Sequence, residues 1–348
     1  MPVDLDREQI LAHRRRVGGL EGRAPKDDDS LRRAAWAGLT DSTPRAAVLS
    51  LHARVEATAS SDWEHPALVQ LWGPRFSAYV VHHEDRAVFS LGRWPASQAR
   101  QQHALELVDR LEAFLGDREA PSGEAGRALG VHPSYLRYAA PTGRVLIRWD
   151  GARQPTVRLA PPPAMDPDEA RRELLRRYLH VLGPGTPEGF AAWAGLHSRS
   201  ARPAFAEMDG EMTPVRTPVG EGWILAGDEA SFRRDADARP DAGGGPAVRL
   251  LPSSDAYYLL HGRDRELLVP DAAERAALWT SRVWPGALLV DGDLVGTWRR
   301  ADQTVTVSLW EPLAVGLREV IEQEAAALPV PRTGGAPPVR WEGAAAKS

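Results

Sequence analysis

One short motif returns along this chain at wide intervals, and it constrains the architecture more than any other feature. "AAWAGLTDSTPRAAVLSL" begins at Ala34 and "AAWAGLHSRSARPAFAEM" begins at Ala191. Between them, Glu124 to Ala140 holds a third variant, "EAGRALGVHPSYLRYAA". In each copy a glycine (Gly38, Gly130, Gly195) precedes an apolar residue (Leu39, Val131, Leu196), and small polar residues follow. Glycine accepts the left-handed conformation that ends one helix, and Ser or Thr caps the next. The repeat predicts three units of helix, turn and helix.

β-rich sequence follows each unit. After the middle one, "RVLIRWDGARQPTVRLA" carries two strand runs around Asp150 and Gly151, a hairpin signal. "RFSAYVV" and "EGWILAG" hold the same place after the first and third. A helix pair closed by a hairpin is a winged helix. Helix-forming stretches also precede the units: "DREQILAHRRRV", "ASQARQQHALELVDRLEAFLGD" and "DPDEARRELLRRYLHVLG", the last starting at Asp166 and Pro167. "LAPPPAMDP" reads as a stiff linker, and "RRDADARPDAGGGPA" from Arg233 as a flexible break. Beyond it come strands with a hairpin at "DGD", a terminal amphipathic helix "LAVGLREVIEQEAAAL", and a loose tail. The expected fold class is α+β. Winged-helix modules occupy 1–95, 96–160 and 166–235, a β-rich domain 246–328, and the tail 329–348.

Composition narrows the chemistry. The chain has 348 residues, 43% of them hydrophobic, and no cysteine, which excludes disulfides, thiolate metal sites and cysteine nucleophiles. Its ten histidines show no metal-ligand spacing, so no metal site is expected. No stretch approaches the roughly 18 apolar residues that span a bilayer, and a soluble cytoplasmic protein is expected. The net charge of −4 argues against indiscriminate nucleic-acid binding. Lys26 and Lys347 are the only lysines, however, so arginine carries the basic charge, and arginine suits phosphate and base contacts. A GC-rich genome produces the same bias. There is no P-loop, GxSxG or HExxH, and "GPGTPEG" from Gly183 lacks dinucleotide-binding spacing.

Residues 52 to 57, "HARVEA", alternate polar and apolar. On a helix, residues two apart point roughly 200° away from each other. In an extended segment His52 and Arg54 share a face about 6.5 to 7 Å apart, with Glu56 at the same interval beyond. The alternation favours the extended form. The preceding helix is then expected to start at Pro44, capped by Thr43, and to end near Leu51. The alternative is a solvated edge strand with an Arg and Glu pair.

In order along the chain, "REQILAHRRRVGGL", "HARVEA", "LWGPRFSAYVVHHEDRAVFSLG", "ARRELLRRYLHVLGPGTPEGFAAWAGL", "LLPSSDAYYLLHGRDRELL" and "WPGALLVDGDLVGTW" resemble the AlkZ and YcaQ family of bacterial winged-helix DNA glycosylases. The resemblance implies a C-shaped, basic, concave scaffold that holds alkylated double-stranded DNA as a monomer, and excision of alkylated purines with no cofactor. It implies a catalytic Gln-x-Gln or Gln-x-Asp pair in the first module, which falls by alignment on His52 and Arg54. Both depart from that pattern. Neutral His52 has one acceptor nitrogen for water, and Glu56 supplies an anion. Arg54 has donors only and suits a phosphate. The alternative function is a non-catalytic DNA-damage-binding protein or a transcription regulator.

Candidate DNA contacts are Arg14, Arg15 and Arg16 on the first helix, Arg75 at the first wing, and Arg299 and Arg300 after the "DGD" hairpin, where Asp291 and Asp293 oppose phosphate. In "VHPSYLRY", Tyr135, Arg137 and Tyr138 either enter a groove or pack against a neighbouring unit. Tandem scaffolds favour the packed arrangement. The tryptophans, Trp36 and Trp193 among them, are expected in the core.

Overall fold

The computed structural model describes residues 2–151, 153–234, 246–314, 316–330 and 337–342. Strand β1 (Val3–Asp4) leads into helix α1 (Arg7–Val17). Asp6 begins α1 reciprocally: its carboxylate accepts the Gln9 N–H at 2.8 Å, and the Gln9 amide oxygen accepts the Asp6 N–H at 3.0 Å. Then come α2 (Asp28–Ala34), β2 (Leu39–Thr40), α3 (Ala46–His52), β3 (Leu68–Trp72), β4 (Ala78–His82) and α4 (Arg86–Leu91). The middle unit holds α5 (Gln98–Leu115), β5 (Ala120–Pro121), α6 (Ser122–Ala128), a 3₁₀ helix over Pro133–Thr142, β6 (Val145–Arg148) and β7 (Thr156–Leu159). The third holds α7 (Pro167–Leu182), α8 (Pro187–Ala194), α9 (Ser198–Glu207), β8 (Met212–Thr217), β9 (Gly220–Leu225) and α10 (Glu229–Phe232). The chain continues through β10 (Val248–Leu251), α11 (Asp264–Leu268), α12 (Ala272–Leu278), β11 (Gly286–Val290), β12 (Asp293–Ala301), β13 (Thr304–Leu309), α13 (Leu317–Ala327) and β14 (Val339–Glu342).

The repeated glycines do turn the chain, with φ of 72°, 63° and 71° at Gly38, Gly130 and Gly195. At Gly195 packing demands glycine as well, since a Cβ would lie 2.6 Å from the Arg75 backbone nitrogen. The expected Ser and Thr caps are absent. Arg45, left-handed at φ 68°, precedes α3, and His197 precedes α9, both without a side-chain cap. For α3 the capping group comes from farther back: Asp41 accepts the Ala47 N–H at 3.2 Å, leaving Thr43 and Pro44 outside the helix. Asp166 caps α7 as its sequence predicts, accepting from the N–H groups of Asp168 and Glu169.

The strands of the first two units do not form separate hairpins. They merge in a six-stranded sheet of order β2-β4-β3-β6-β7-β5, joined where Gln70 faces Ile147. The third hairpin, β8–β9, gains β1 in parallel, Val3 opposite Val215. A five-stranded sheet, β10-β11-β12-β13-β14, ends the chain. Its "DGD" hairpin turns at Asp291 and Gly292, both at positive φ (50° and 96°), as a primed turn requires. The expectation of a wholly loose tail is corrected by β14, which pairs in parallel with β13 because β13 presents an open edge. Most of the expected break after Arg233, residues 235–245, lies outside the described residues.

One core crosses all these units, containing Leu11, Phe89, Tyr178, Trp193, Tyr258 and Leu289, with Trp36 packed at its edge. Among the described residues no helix is long and apolar enough to cross a membrane.

Candidate active site

Helix α3 organises the site because everything in it is buried and both of its ends carry polar groups. At its C-terminal end the expected pleated segment is corrected. His52 is the last helical residue, and the Ala53 and Val55 N–H groups still reach back to Leu49 and Leu51 at 3.1 and 2.7 Å. Four-residue spacing satisfies these buried donors locally, so the alternation at 52–56 follows a helix end and a turn.

Arg54 is 5% exposed, and each of its three side-chain nitrogens has a partner. Its Nη1 and Nη2 each donate to Asp255 at 2.8 Å, Nε donates to the Gly18 carbonyl at 2.8 Å, and Nη1 to the Ser50 carbonyl at 2.9 Å. The Ser50 hydroxyl adds a 2.6 Å bond to Asp255. Burial pushes the Asp255 carboxyl up, but Arg54, Ser50 and the Tyr257 N–H outweigh it and hold the group below its ordinary range. Arg54 thus fastens the first unit to the C-terminal segment, and the phosphate role read from sequence has no free donor face to serve it.

His52 is 8% exposed. Burial, reinforced by Arg23 and opposed by Glu324, lowers its pKa to about 4, so it is neutral at pH 7. Its Nε2 stands 3.7 Å from Glu324, which also receives Arg23 Nη2 at 2.6 Å, while Arg23 Nε donates to the His52 carbonyl. Glu56 is exposed. These three residues therefore do not converge on one point.

The N-terminal end of α3 holds what sequence inspection missed. Asp41 is wholly buried, and its Oδ2 accepts from Gln70 Nε2 at 2.8 Å. Arg45 Nη1 lies 3.6 Å away, and the Arg45 guanidinium sits 3.7 Å over the Trp63 ring. Gln70, 5% exposed, uses its oxygen to accept the Trp149 N–H at 2.6 Å, which fixes the amide's orientation. Burial raises the Asp41 carboxyl to about 7, against the lowering by the Ala47 N–H, Arg45 and Gln70. The result is an amide and carboxylate pair, titrating near neutrality, one residue from exposed Ser42. Gln70 was findable as the lone polar residue in the apolar run "LVQLW". Asp41 carried no such signal.

Most of the arginines expected on DNA are committed elsewhere. Helix α1 is packed, not exposed: Arg14 is 1% accessible and donates to the Gly183 carbonyl, with its Nη atoms buried near Asp264. Arg15 donates to Gly292 at 3.4 Å, and Arg16 to the Ser231 carbonyl at 3.0 Å. Arg75, left-handed at φ 55°, donates to Trp193 and Tyr79. In each case a backbone carbonyl left over at a helix or strand end captures the guanidinium. Arg299 and Arg300 remain exposed on β12, their side chains donating to the Val283 and Asp302 carbonyls.

His13, His180 and Asp228 bring potential ligand atoms within 4.8 Å of one another. Separated widely in sequence, they leave no spacing pattern. Their atoms are already bonded: His13 Nδ1 to Ser231 Oγ and Nε2 to the His180 carbonyl, both at 2.9 Å, and His180 Nδ1 to Asp228 at 2.8 Å.

A mixed helix and sheet chain with a polar pair of this kind in its first unit fits the DNA glycosylase class. The chain belongs to the AlkZ-like DNA glycosylase family, whose pattern matches residues 34–329. An interstrand DNA cross-link repair glycosylase of Streptomyces sahachiroi is 33% identical over 168 residues, 46% of this chain and 42% of that protein's length. The solved Streptomyces sahachiroi DNA glycosylase AlkZ superposes with a TM-score of 0.74 at 22% identity, covering 98% of this chain and 100% of that one. At that identity the likeness is one of fold.

Proposed function

We propose that this protein is a monomeric, cytoplasmic DNA glycosylase that hydrolyses the N-glycosidic bond of alkylated purines in duplex DNA. In this reading three winged-helix modules (1–95, 96–160, 166–235) and a β-rich domain (246–328) form a C-shaped cradle for the duplex. The observation that carries it is the Asp41 and Gln70 pair, 2.8 Å apart inside the first unit.

Cleavage of this bond passes through an oxocarbenium-like sugar and needs a water held on the face away from the departing base. A carboxylate accepts the water's proton and offsets the positive charge, and an amide fixes the direction of approach. Asp41 and Gln70 supply both groups, and because both are buried the reading requires the chain beside exposed Ser42 to open and admit the sugar and its water. His52 and Arg54 act instead as anchors that hold α3 beneath them. The cross-link repair role of the S. sahachiroi relative makes purines joined by a bifunctional alkylating agent the second substrate class.

Base release from N7-alkylated duplex at excess protein tests this. The wild-type chain should release free base, and Asp41→Asn should lose roughly 100-fold or more in rate. No release by the wild type, with binding retained, would leave a non-catalytic damage binder. Full activity in Asp41→Asn would remove the pair from the mechanism.

A further inference from the structure

Burial was expected for the middle unit's second helix, and the structure splits that helix into two faces. In a 3₁₀ helix side chains three residues apart eclipse. Leu136, Ala139 and Thr142 face the core, whereas Tyr135 and Tyr138 stand above one another at 51% and 39% exposure. Their ring centroids are 5.5 Å apart at 81°. Phe76 continues the row, 5.2 Å from Tyr138 at 78°, and the exposed His103 flanks it at 6.5 Å.

Cations border this row. The Arg137 guanidinium lies 6.0 Å from the Tyr138 ring, and Arg93 lies 4.6 Å over Phe76. Burial lowers Arg93 to about 9, so it stays charged at neutral pH. Arg100, exposed one turn before His103 on α5, adds a further cation on that helix and lies 3.1 Å from His197 Nε2. Exposed aromatic rings set among arginines match an unpaired nucleic-acid strand, in which each base offers a π face and each linkage a negative charge.

We propose that Tyr135 and Tyr138, backed by Phe76, form a stacking platform for unpaired DNA bases, with Arg137 and Arg100 facing the adjoining phosphates. Phe76 follows Gln70 by six residues, which limits their Cα separation to about 20 Å. The platform and the first unit's polar pair therefore lie within the span of one short stretch of DNA. Bases unstacked around a lesion, or at a strand end, are the natural occupants. The inference takes from the proposed function only that DNA is the partner.

The test is binding of a short fluorescent oligothymidine and of a blunt duplex, neither of which requires base release. Tyr135→Ala with Tyr138→Ala should weaken oligothymidine binding roughly tenfold or more, with Tyr135→Phe and Tyr138→Phe close to wild type. Blunt-duplex affinity and the melting temperature should hold. Wild-type protein that ignores oligothymidine, or an alanine pair that binds it normally, would overturn the proposal. So would equal loss on both probes. A wild-type dimer dispersed by the alanine pair would assign the rings to a protein contact and also overturn it. Failure to release alkylated base, with this binding pattern intact, would count against the glycosylase reading alone.

Discussion

Replacing Arg54 with alanine separates a structural anchor from a phosphate clamp. The substitution removes both 2.8 Å bonds to Asp255 and leaves that carboxylate, 0% exposed, with the Ser50 hydroxyl and the Tyr257 N–H at 2.6 and 2.9 Å among the described residues. Breaking one side of a buried pair costs about 3 to 5 kcal/mol, a large fraction of the roughly 5 to 15 kcal/mol that holds a domain folded. Urea denaturation at pH 7 should show a lower midpoint at unchanged slope. Arg54→Met combined with Asp255→Leu should recover most of the loss, because it removes both desolvated charges. The pH dependence has a definite sign. In the wild type Asp255 sits below its ordinary value, so its contribution is present above the ordinary carboxylate range and fades as pH falls through the folded pKa. Without the guanidinium, burial dominates and lifts the carboxyl, so the variant loses stability as pH rises above that range. The gap between the two proteins should widen from pH 4 to pH 7. An Arg54→Ala chain within about 0.5 kcal/mol of wild type but weaker on DNA would refute this assignment.

Three further outcomes are expected. His52, lowered from 6.5 to about 4, makes the native state release a proton that the unfolded chain holds, so stability should fall as pH drops from 6.5 toward 4. His52→Gln should flatten that acid limb in urea titrations, and an unchanged limb would contradict the assignment. Asp41, raised to about 7, has the opposite sign: stability falls as pH climbs from the ordinary carboxylate range through 7, while base release rises with the carboxylate form. Stability and rate profiles that move together there would oppose it. Arg299→Ala with Arg300→Ala should weaken damaged and intact duplex alike and flatten the log–log salt slope by about two. An unaltered slope would take β12 off the DNA.

The repeat showed where the chain bends, because a left-handed glycine is a local requirement that leaves a mark in sequence. It could not show that Gln70 opposite Ile147 would join the strands of two units in one sheet, since strand partners are chosen by distant residues. The alternation at "HARVEA" misled for a related reason. A helix end followed by a turn also alternates polar and apolar side chains, and only the i to i+4 bonds of Ala53 and Val55 distinguish it from a strand. Arg14, Arg15 and Arg16 read as DNA contacts because charge alone does not reveal that carbonyls at Gly183, Gly292 and Ser231 would bind them. Asp41 was illegible because its carboxyl acts on Ala47 and Gln70, neither adjacent to it in the chain.

Helix α3 ties these observations together. Its N-terminal end presents Asp41 to Gln70, and its C-terminal end is fastened by Arg54 to Asp255 and by Arg23 to Glu324 of α13. Both fastenings leave the first unit and end on the C-terminal segment. A seven-residue helix has too few internal bonds to hold its own orientation in water, so the geometry of the polar pair depends on those remote contacts. Arg23→Ala should then lower base release while leaving Asp41 and Gln70 chemically intact, with a smaller loss of stability than Arg54→Ala, because its partner Glu324 keeps 8% of its surface in water and Asp255 keeps none. Single-turnover rates beside urea midpoints decide this: a variant that loses stability yet releases base at the wild-type rate would show that the pair stands without its anchors.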